Sequence, residues 1–323
     1  MQELTVGKND AGQRLDRFIA KSVPLLPPSL LQKYIRLKRI KVNGKGSKRD
    51  VRLCEGDTLQ LYINDALFDK PEQENFFLSN WKPKLRIVYE DENILLADKR
   101  PGQSVHADES EKADTLIHHI QAYLYQKGEW NPAEENAFAP ALCNRIDRNT
   151  GGLVIAAKNA ETLRIVNEKI RAHEIEKSYL CIAVGRPKPP EGKIEGFLLK
   201  DEAKKEVSFY RRPVPGGRSA ATLYRTLDTR GGLSLIECRL LTGRTHQIRV
   251  SMAEIGCPLL GDGKYGDGKI NRRYHETRQA LYAYKLRFAF STDAGILRYL
   301  QGKTFTVKNV PFREKYFADT SRV

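Results

Sequence analysis

The sequence contains no run of eighteen apolar residues, and residues 1–10 hold no apolar core of signal-peptide length. A membrane span and a secretory leader are therefore left out of the reading, and a cytoplasmic, unanchored protein is expected. Cysteine is sparse and scattered. Cys54, Cys143, Cys181, Cys238 and Cys257 are odd in number and include no Cys-x-x-Cys pair, which argues against a zinc site or a disulfide framework. Cys143, Cys181 and Cys238 sit in or beside apolar stretches, where a reduced thiol acts as a small hydrophobe. His118 and His119 are adjacent rather than at helical ligand spacing, and neither a His-Glu-x-x-His nor a phosphate-loop signature occurs. Gly261-x-Gly263-x-x-Gly266 has dinucleotide-loop spacing, but the polar run 267–274 follows it, so it reads as a Gly-rich loop. No metal, nucleotide or other cofactor is expected.

What is abundant is positive charge. With 55 Lys and Arg against 40 Asp and Glu, the formal net charge is +15 over 323 residues, which points to a polyanionic partner, RNA or DNA before an anionic membrane. The length allows a large core and two domains. Much of the excess lies in residues 12–52, with twelve Lys or Arg against Asp16 and Asp50. Leu15, Phe18 and Ile19 at i, i+3 and i+4 predict a short helix ending before Pro24. Ser29 is an N-cap candidate for a second helix that buries Leu30, Leu31, Tyr34 and Ile35. Ile40-Lys41-Val42 alternates as a strand, Asn43-Gly44 signals a hairpin turn, and residues 58–63 form a last strand.

These residues resemble the S4 RNA-binding module, through Arg14-Leu15-Asp16-Arg17-Phe18, Gln32-Lys33-Tyr34-Ile35-Arg36, Lys41-Val42-Asn43-Gly44-Lys45 and Glu55-Gly56-Asp57. The resemblance covers about fifty residues. It implies an S4 domain over residues 1–64, with RNA contacts from Arg14, Lys33, Arg36, Lys38, Arg39, Lys41 and Lys45. Lys38 stands where that family has a small glycine, so the turn after the second helix is expected to be built differently. A merely solvated run of charge explains the stretch less well, because its charges alternate with apolar residues that gather them on one face. Residues 65–84 are polar, hold Pro71 and Pro83, and read as a linker with an anchoring patch at Phe76, Phe77 and Trp81.

From residue 85 to residue 323 the pattern changes. Residues 85–89 and 94–97 read as two strands joined by an acidic turn, 115–125 and 160–170 as helices, and 177–184 and 233–241 as strands. Residues 248–255 have helical spacing with Gly256 as the stop. Strands mixed irregularly with helices argue for an α+β domain. At its centre lies Asn144-Arg145-Ile146-Asp147-Arg148-Asn149-Thr150-Gly151-Gly152, running into the apolar strand 153–157. The glycine pair reads as a tight turn into that strand, which leaves Asp147 on a loop at its mouth. Flanking guanidinium charge favours its anionic form, so it could serve as a nucleophile. Taken alone, an Arg-x-Asp is more often a surface ion pair.

Two further stretches strengthen the functional reading. The central segment, Lys177-Ser178-Tyr179-Leu180 and Gly243-Arg244-Thr245-His246-Gln247-Ile248-Arg249 together resemble the motifs of the RluA-type pseudouridine synthase family. Residues 99–106, 258–262 and 279–281 add lesser likenesses. The resemblance implies a mixed, mainly antiparallel-sheet catalytic domain over residues 85–323, with Asp147 as nucleophile and Arg145 helping to displace the target base. It implies that Tyr179 packs on the uracil as a candidate general base, and that Arg244 pairs with Asp147. Arg148 and Arg249 are expected on RNA. His246, between two arginines, is a candidate phosphate contact, although a hydrogen-bonded structural role is the more ordinary one. Asn144, Ile146, Gly151 and Ser251 depart from the family pattern.

The implied activity is isomerisation of uridine to pseudouridine in large-subunit ribosomal RNA by a monomer. The alternatives are a transfer-RNA synthase and a catalytically silent RNA-binding or ribosome-assembly factor. The reaction adds no external atom and no redox equivalent, which agrees with the missing cofactor motifs. Its target must leave the base stack, at a cost of a few kcal/mol.

Overall fold

The computed structural model describes residues 1–68, 76–107 and 114–318. The first part of the chain builds a small sheet with two helices on it. Its elements are β1 (Gln2–Thr5), α1 (Leu15–Ser22), α2 (Pro28–Arg36), β2 (Ile40–Val42), β3 (Lys45–Gly46) and β4 (Thr58–Leu61), with the strands in the antiparallel order β1-β4-β2-β3. Leu15, Phe18 and Ile19 of α1 and Leu31 and Ile35 of α2 close over Ile40, Leu59 and Leu61, the face that the helical spacing predicts. Ser29 is not the N-cap of α2: Pro27 holds that position, and Pro28 starts the helix. A first-turn proline has no N–H to leave unsatisfied, and its fixed φ suits the helix.

Lys38 takes the left-handed conformation, with φ 55. The turn after α2 is therefore the one a glycine would make, built from a residue that pays for it in backbone strain of about 1 kcal/mol. The Lys38 N–H donates to the Ile35 carbonyl at 3.0 Å and the Arg39 N–H to the Tyr34 carbonyl at 2.9 Å. Gly46 makes room for this side chain, since a Cβ there would stand 2.8 Å from Lys38 Cγ.

A short helix α3 (Phe76–Asn80) follows the first sheet and packs on a later helix, α4 (Leu116–Gln126). Leu78 is buried in that helix's core, and Gln126 Nε2 donates to the carbonyls of Leu78 at 2.9 Å and Trp81 at 2.7 Å. An anchor is present, carried by Leu78 and Trp81. The side chains of Phe76 and Phe77 lie outside the described residues.

The rest of the chain adds β5 (Ile87–Glu90), β6 (Ile94–Lys99), β7 (Ala141–Leu142), β8 (Gly151–Ala157), α5 (Ala160–Arg171), β9 (Ile175–Val184), β10 (Glu191–Asp201), β11 (Glu206–Tyr210), β12 (Arg218–Arg230) and β13 (Leu233–Leu240). After these come α6 (Gln247–Glu254), α7 (Gly268–Arg273), β14 (Leu281–Phe288), β15 (Thr304–Thr306) and α8 (Pro311–Phe317). The strands form one 11-stranded sheet in the order β11-β10-β12-β13-β9-β14-β8-β6-β5, with β15 on β14 and β7 on β8. Among the described residues β8 and β14 are its one parallel pair, so the sheet is mixed and mainly antiparallel. One face packs Val154, Ala156, Tyr179, Cys181 and Cys238 against α4 and α6. The other packs Ile155, Leu180, Ile182 and Leu286 against α5 and α8.

The glycine pair lies inside β8 and not in a turn before it. Gly151 pairs with Tyr282 and Gly152 with Ala283. A Cβ on Gly151 would stand 2.4 Å from Tyr282 Cε2, and one on Gly152, which has φ +112, would stand 2.2 Å from the Ala283 carbonyl oxygen. Close approach of β14 is what requires both glycines. No helix of the described residues is long and apolar enough to cross a membrane.

Candidate active site

Asp147 sits on the loop between β7 and β8, half-buried, with its carbonyl accepting the Thr150 N–H at 3.0 Å. Three contacts set this loop. Asn144 Oδ1 accepts the Ile155 N–H at 2.8 Å, so the departure at that position stitches the loop to β8. The Gly102 N–H donates to the Arg148 carbonyl at 2.9 Å. Lys99, 1% exposed at the end of β6, donates from Nζ to the carbonyls of Arg100 at 3.1 Å, Gln103 at 2.8 Å and Arg148 at 2.9 Å. Burial pushes its ammonium down to about 7, while the charges of Asp147 and Asp98 pull the other way.

The cation on Asp147 is Arg249 and not Arg244. Arg249 Nη1 donates to Asp147 Oδ2 at 3.1 Å, while its Nε and Nη2 donate to Asp262 Oδ2 at 2.7 Å and Oδ1 at 2.9 Å. Burial would lower the Arg249 pKa, but the bonds and charges of Asp262 and Asp147 outweigh it and raise it. Asp262 is fully buried, and burial works to raise its carboxyl, yet Arg249 and the N–H groups of Lys264 and Tyr265 hold it below its ordinary value. Arg244 turns away: its Nε donates to the Ser219 carbonyl at 3.0 Å.

The cause lies in Gln247, buried at the start of α6, whose side chain accepts from the Arg244 N–H at 3.1 Å and donates to the Ala221 carbonyl at 3.0 Å and to Thr222 Oγ1 at 2.9 Å. That fastens the turn to β12. His246 then takes a left-handed conformation, φ 53, and α6 begins. Arg249, one turn further on, faces inward. Arg249, expected on RNA, is only 6% exposed and spends its side chain on Asp147 and Asp262, and the expected Arg244–Asp147 pairing is not formed. A lone cation inside the apolar run Ile248-Arg249-Val250-Ser251-Met252 was a usable signal, because a buried guanidinium demands a carboxylate partner.

His246 joins the same cluster. Its Nδ1 lies 2.8 Å from the Tyr265 hydroxyl and its Nε2 lies 3.8 Å from Asp147 Oδ2. Burial lowers the imidazole pKa, partly countered by the Asp147 charge, so the ring is neutral at neutral pH. Tyr265, which no sequence argument singled out, lies under Arg249 with the guanidinium carbon 5.1 Å from the ring centroid, and its hydroxyl accepts the Val207 N–H of β11 at 2.9 Å.

Tyr179 is buried in β9, and burial together with the Asp147 charge raises its phenol far above the ordinary value. The hydroxyl is a proton donor at neutral pH, not a ready base. Arg145 and Arg148 are exposed on the Asp147 loop, and Arg148 Nε donates to the Gly102 carbonyl at 3.1 Å. Ser251 is buried, its hydroxyl without a partner among the described residues.

A concavity lies on the amino-terminal unit, between α2 and the segment 46–50. Lys33, Arg36 and Lys38 line a cavity of about 740 Å³ together with Ser29, Gln32, Ser47, Lys48, Arg49 and Asp50. Lys48 and Arg49 of this cavity were not among the residues singled out in the sequence. The other expected contacts lie off this cavity. Arg14 Nη2 pairs with Asp16 Oδ2 at 2.6 Å, Arg39 stands over the Tyr34 ring, Lys41 stands over the Tyr62 ring, and Lys45 is exposed on β3.

Residues 93–254 match the family model for RNA pseudouridylate synthase. An uncharacterised RNA pseudouridine synthase of Mycoplasma genitalium is 29% identical over 290 residues, covering 88% of each chain. The ribosomal large subunit pseudouridine synthase D of Neisseria meningitidis is 30% identical over 297 residues, covering 88% of this chain and 74% of its own. Among solved structures, human RNA pseudouridylate synthase domain containing 4 superposes with a TM-score of 0.55 at 21% identity, over 70% of this chain and 89% of that one, a likeness of fold. With motifs, sheet and relatives in agreement, the chain belongs to the RNA pseudouridylate synthases, as an isomerase of the RluA type.

Proposed function

We propose that the protein isomerises uridines of large-subunit ribosomal RNA, with Asp147 as nucleophile, Arg249 holding its carboxylate and Tyr179 packing on the uracil. The N1–C1′ bond breaks, the base turns, C5 joins C1′, and the C5 proton is lost while N1 gains one. The observation that carries this reading is the bridge from buried Asp262 through Arg249 to Asp147. It fixes a carboxylate in place at the end of β8 without spending its second oxygen. An anion so held is pre-oriented for attack at C1′ or for stabilising charge there. Exposed Arg145 and Arg148 flank it, as contacts to phosphate and displaced base require. The ribosomal preference rests on relatives named for the large subunit.

In this reading residues 1–64 form an S4 RNA-binding domain, 65–84 a linker and 85–323 the catalytic domain, in a cytoplasmic monomer. RNA phosphates lie along the cavity of Lys33, Arg36, Lys38, Lys48 and Arg49, a positive concavity suited to a folded backbone.

The test is Asp147→Asn, which keeps shape and deletes the anion. Release of the C5 hydrogen from labelled ribosomal RNA should vanish, while affinity by filter binding stays within about twofold. Wild-type-like release by this variant would refute the assignment.

A further inference from the structure

The amino-terminal sheet is not merely tethered to the larger one. Asp10, in the loop after β1, is fully buried. Its Oδ1 accepts the N–H groups of Phe138 at 2.7 Å and Ala137 at 3.1 Å, and its Oδ2 accepts that of Asn136 at 3.1 Å. Around this carboxylate the Ala160 N–H donates to the Asn9 carbonyl at 2.9 Å, Asn136 Nδ2 donates to the Thr5 carbonyl at 2.8 Å, and Asn9 Nδ2 bonds Glu135. Segment 136–138 is two-faced: Ala137 packs on the amino-terminal core and Phe138 is buried in the catalytic core.

This carboxylate, which also accepts from Gln13 Nε2 at 3.1 Å, makes charge-assisted bonds, and its removal leaves the buried Phe138 N–H and the partly buried N–H groups of Asn136 and Ala137 without it. A flexible tether raises the local concentration of a second binding surface but leaves its orientation free, whereas a fixed dock sets both. We infer that Asp10 is a positioning residue that determines specificity: by locking the basic cavity to the sheet that carries Asp147, it restricts reaction to uridines lying at a set distance and direction from the RNA element held in that cavity. The inference rests on the reading of the amino-terminal sheet as RNA-binding.

The experiment uses the full chain with two RNAs: large-subunit ribosomal RNA from cells lacking the protein, and a short hairpin transcript around the uridine mapped in it. Asp10→Ala should raise the half-saturating concentration of the long RNA by about tenfold or more. Its single-turnover rate at saturation and its kinetics on the hairpin should stay within about twofold. The slope of log affinity against log salt should stay as in wild type, since the cavity is intact. Asp10→Asn, which keeps an acceptor for Ala137 and Phe138, should recover part of the loss. If thermal melting shows Asp10→Ala to be unfolded, the pair Asn9→Ala and Asn136→Ala loosens the dock without orphaning buried backbone, and the same pattern is expected of it. Equal losses on both RNAs would make the dock a structural support of the active site, and no loss on either would make it irrelevant; both outcomes overturn the inference. Lys33→Gln with Arg36→Gln separates the underlying reading, because an unchanged salt slope there would refute RNA binding by the cavity itself.

Discussion

A single guanidinium joins Asp147 to Asp262, with Arg249 gripping the buried carboxylate through Nε and Nη2 and reaching the half-exposed one through Nη1. The fork geometry of arginine matters here, because a lysine ammonium in the same place is a point charge that cannot span both acids in one plane. Asp262 thereby fixes the angle at which Asp147 is held, although it is too deeply buried to meet RNA.

Arg249→Met should abolish turnover and also lower stability by about 3 kcal/mol, because it strands the Asp262 charge in the core. Arg249→Lys should fold and still lose most of the single-turnover rate, since the charge remains and the fork is gone. Arg244→Met should leave stability within about 0.5 kcal/mol and change the saturated rate less than tenfold. Urea denaturation and single-turnover kinetics on all three separate the arginines. A larger rate loss in Arg244→Met than in Arg249→Lys would reverse their ranking.

Tyr179→Phe keeps the ring and removes a hydroxyl that burial and Asp147 hold in its protonated form. If that hydroxyl relays a proton, the single-turnover rate should fall by about a hundredfold while RNA affinity stays within about twofold. No alkaline limb from this phenol should appear up to its ordinary value near 10, because the shift is upward. A full rate in the variant leaves only packing to Tyr179.

Acid should also act on a pair away from Asp147. Glu174 and Lys169 are both buried, with Lys169 Nζ donating to Glu174 Oε2 at 2.7 Å and Ser291 Oγ to Oε1 at 2.6 Å. The Lys169 bond, followed by that of Ser291, pulls the carboxyl from 4.5 down to about 2. Its pKa is depressed in the fold, so the stabilisation is present above pH 4.5 and is lost as pH falls towards 2. Glu174→Gln should be about 3 kcal/mol less stable at pH 7, since it strands Lys169, and should lose less on acidification. Urea midpoints at pH 7, 4 and 3 would show it, and parallel losses in both proteins would count against the pair.

The strands that the apolar pattern revealed are those without a gap in it, such as β9, buried on both faces, and the alternating β13. Strand β10 was not legible, because its pattern has a hole at Gly196, and the hole is filled from the neighbouring strand: a Cβ there would stand 2.4 Å from Phe209 Cζ. The loop bearing Asp147 could be placed from sequence because a buried strand so clearly follows it. Its partner was legible only in part: a lone cation in the apolar run marks Arg249 as needing a carboxylate, but the turn that sends Arg244 away depends on a left-handed residue at His246 and on the tie from Gln247 to β12, neither of which has a local signature. Lys38 is the converse case. The missing glycine suggested a different turn, yet the left-handed turn forms around lysine all the same, since tertiary packing on Gly46 outweighs a local preference of about 1 kcal/mol.

The parallel pairing of Gly151 and Gly152 with Tyr282 and Ala283 sets an order of events during synthesis. The amino-terminal sheet closes with contacts inside its first stretch of chain, and β6 can flank β8 as soon as both have been made. On its other side β7 covers only Ala156 and Ala157, so the glycine end of β8 stays open until β14 arrives, and pairings between such distant segments form slowly. A growing chain therefore assembles its basic cavity early and its Asp147 loop among the last parts of the fold, so a nascent protein is chemically silent through most of its own production.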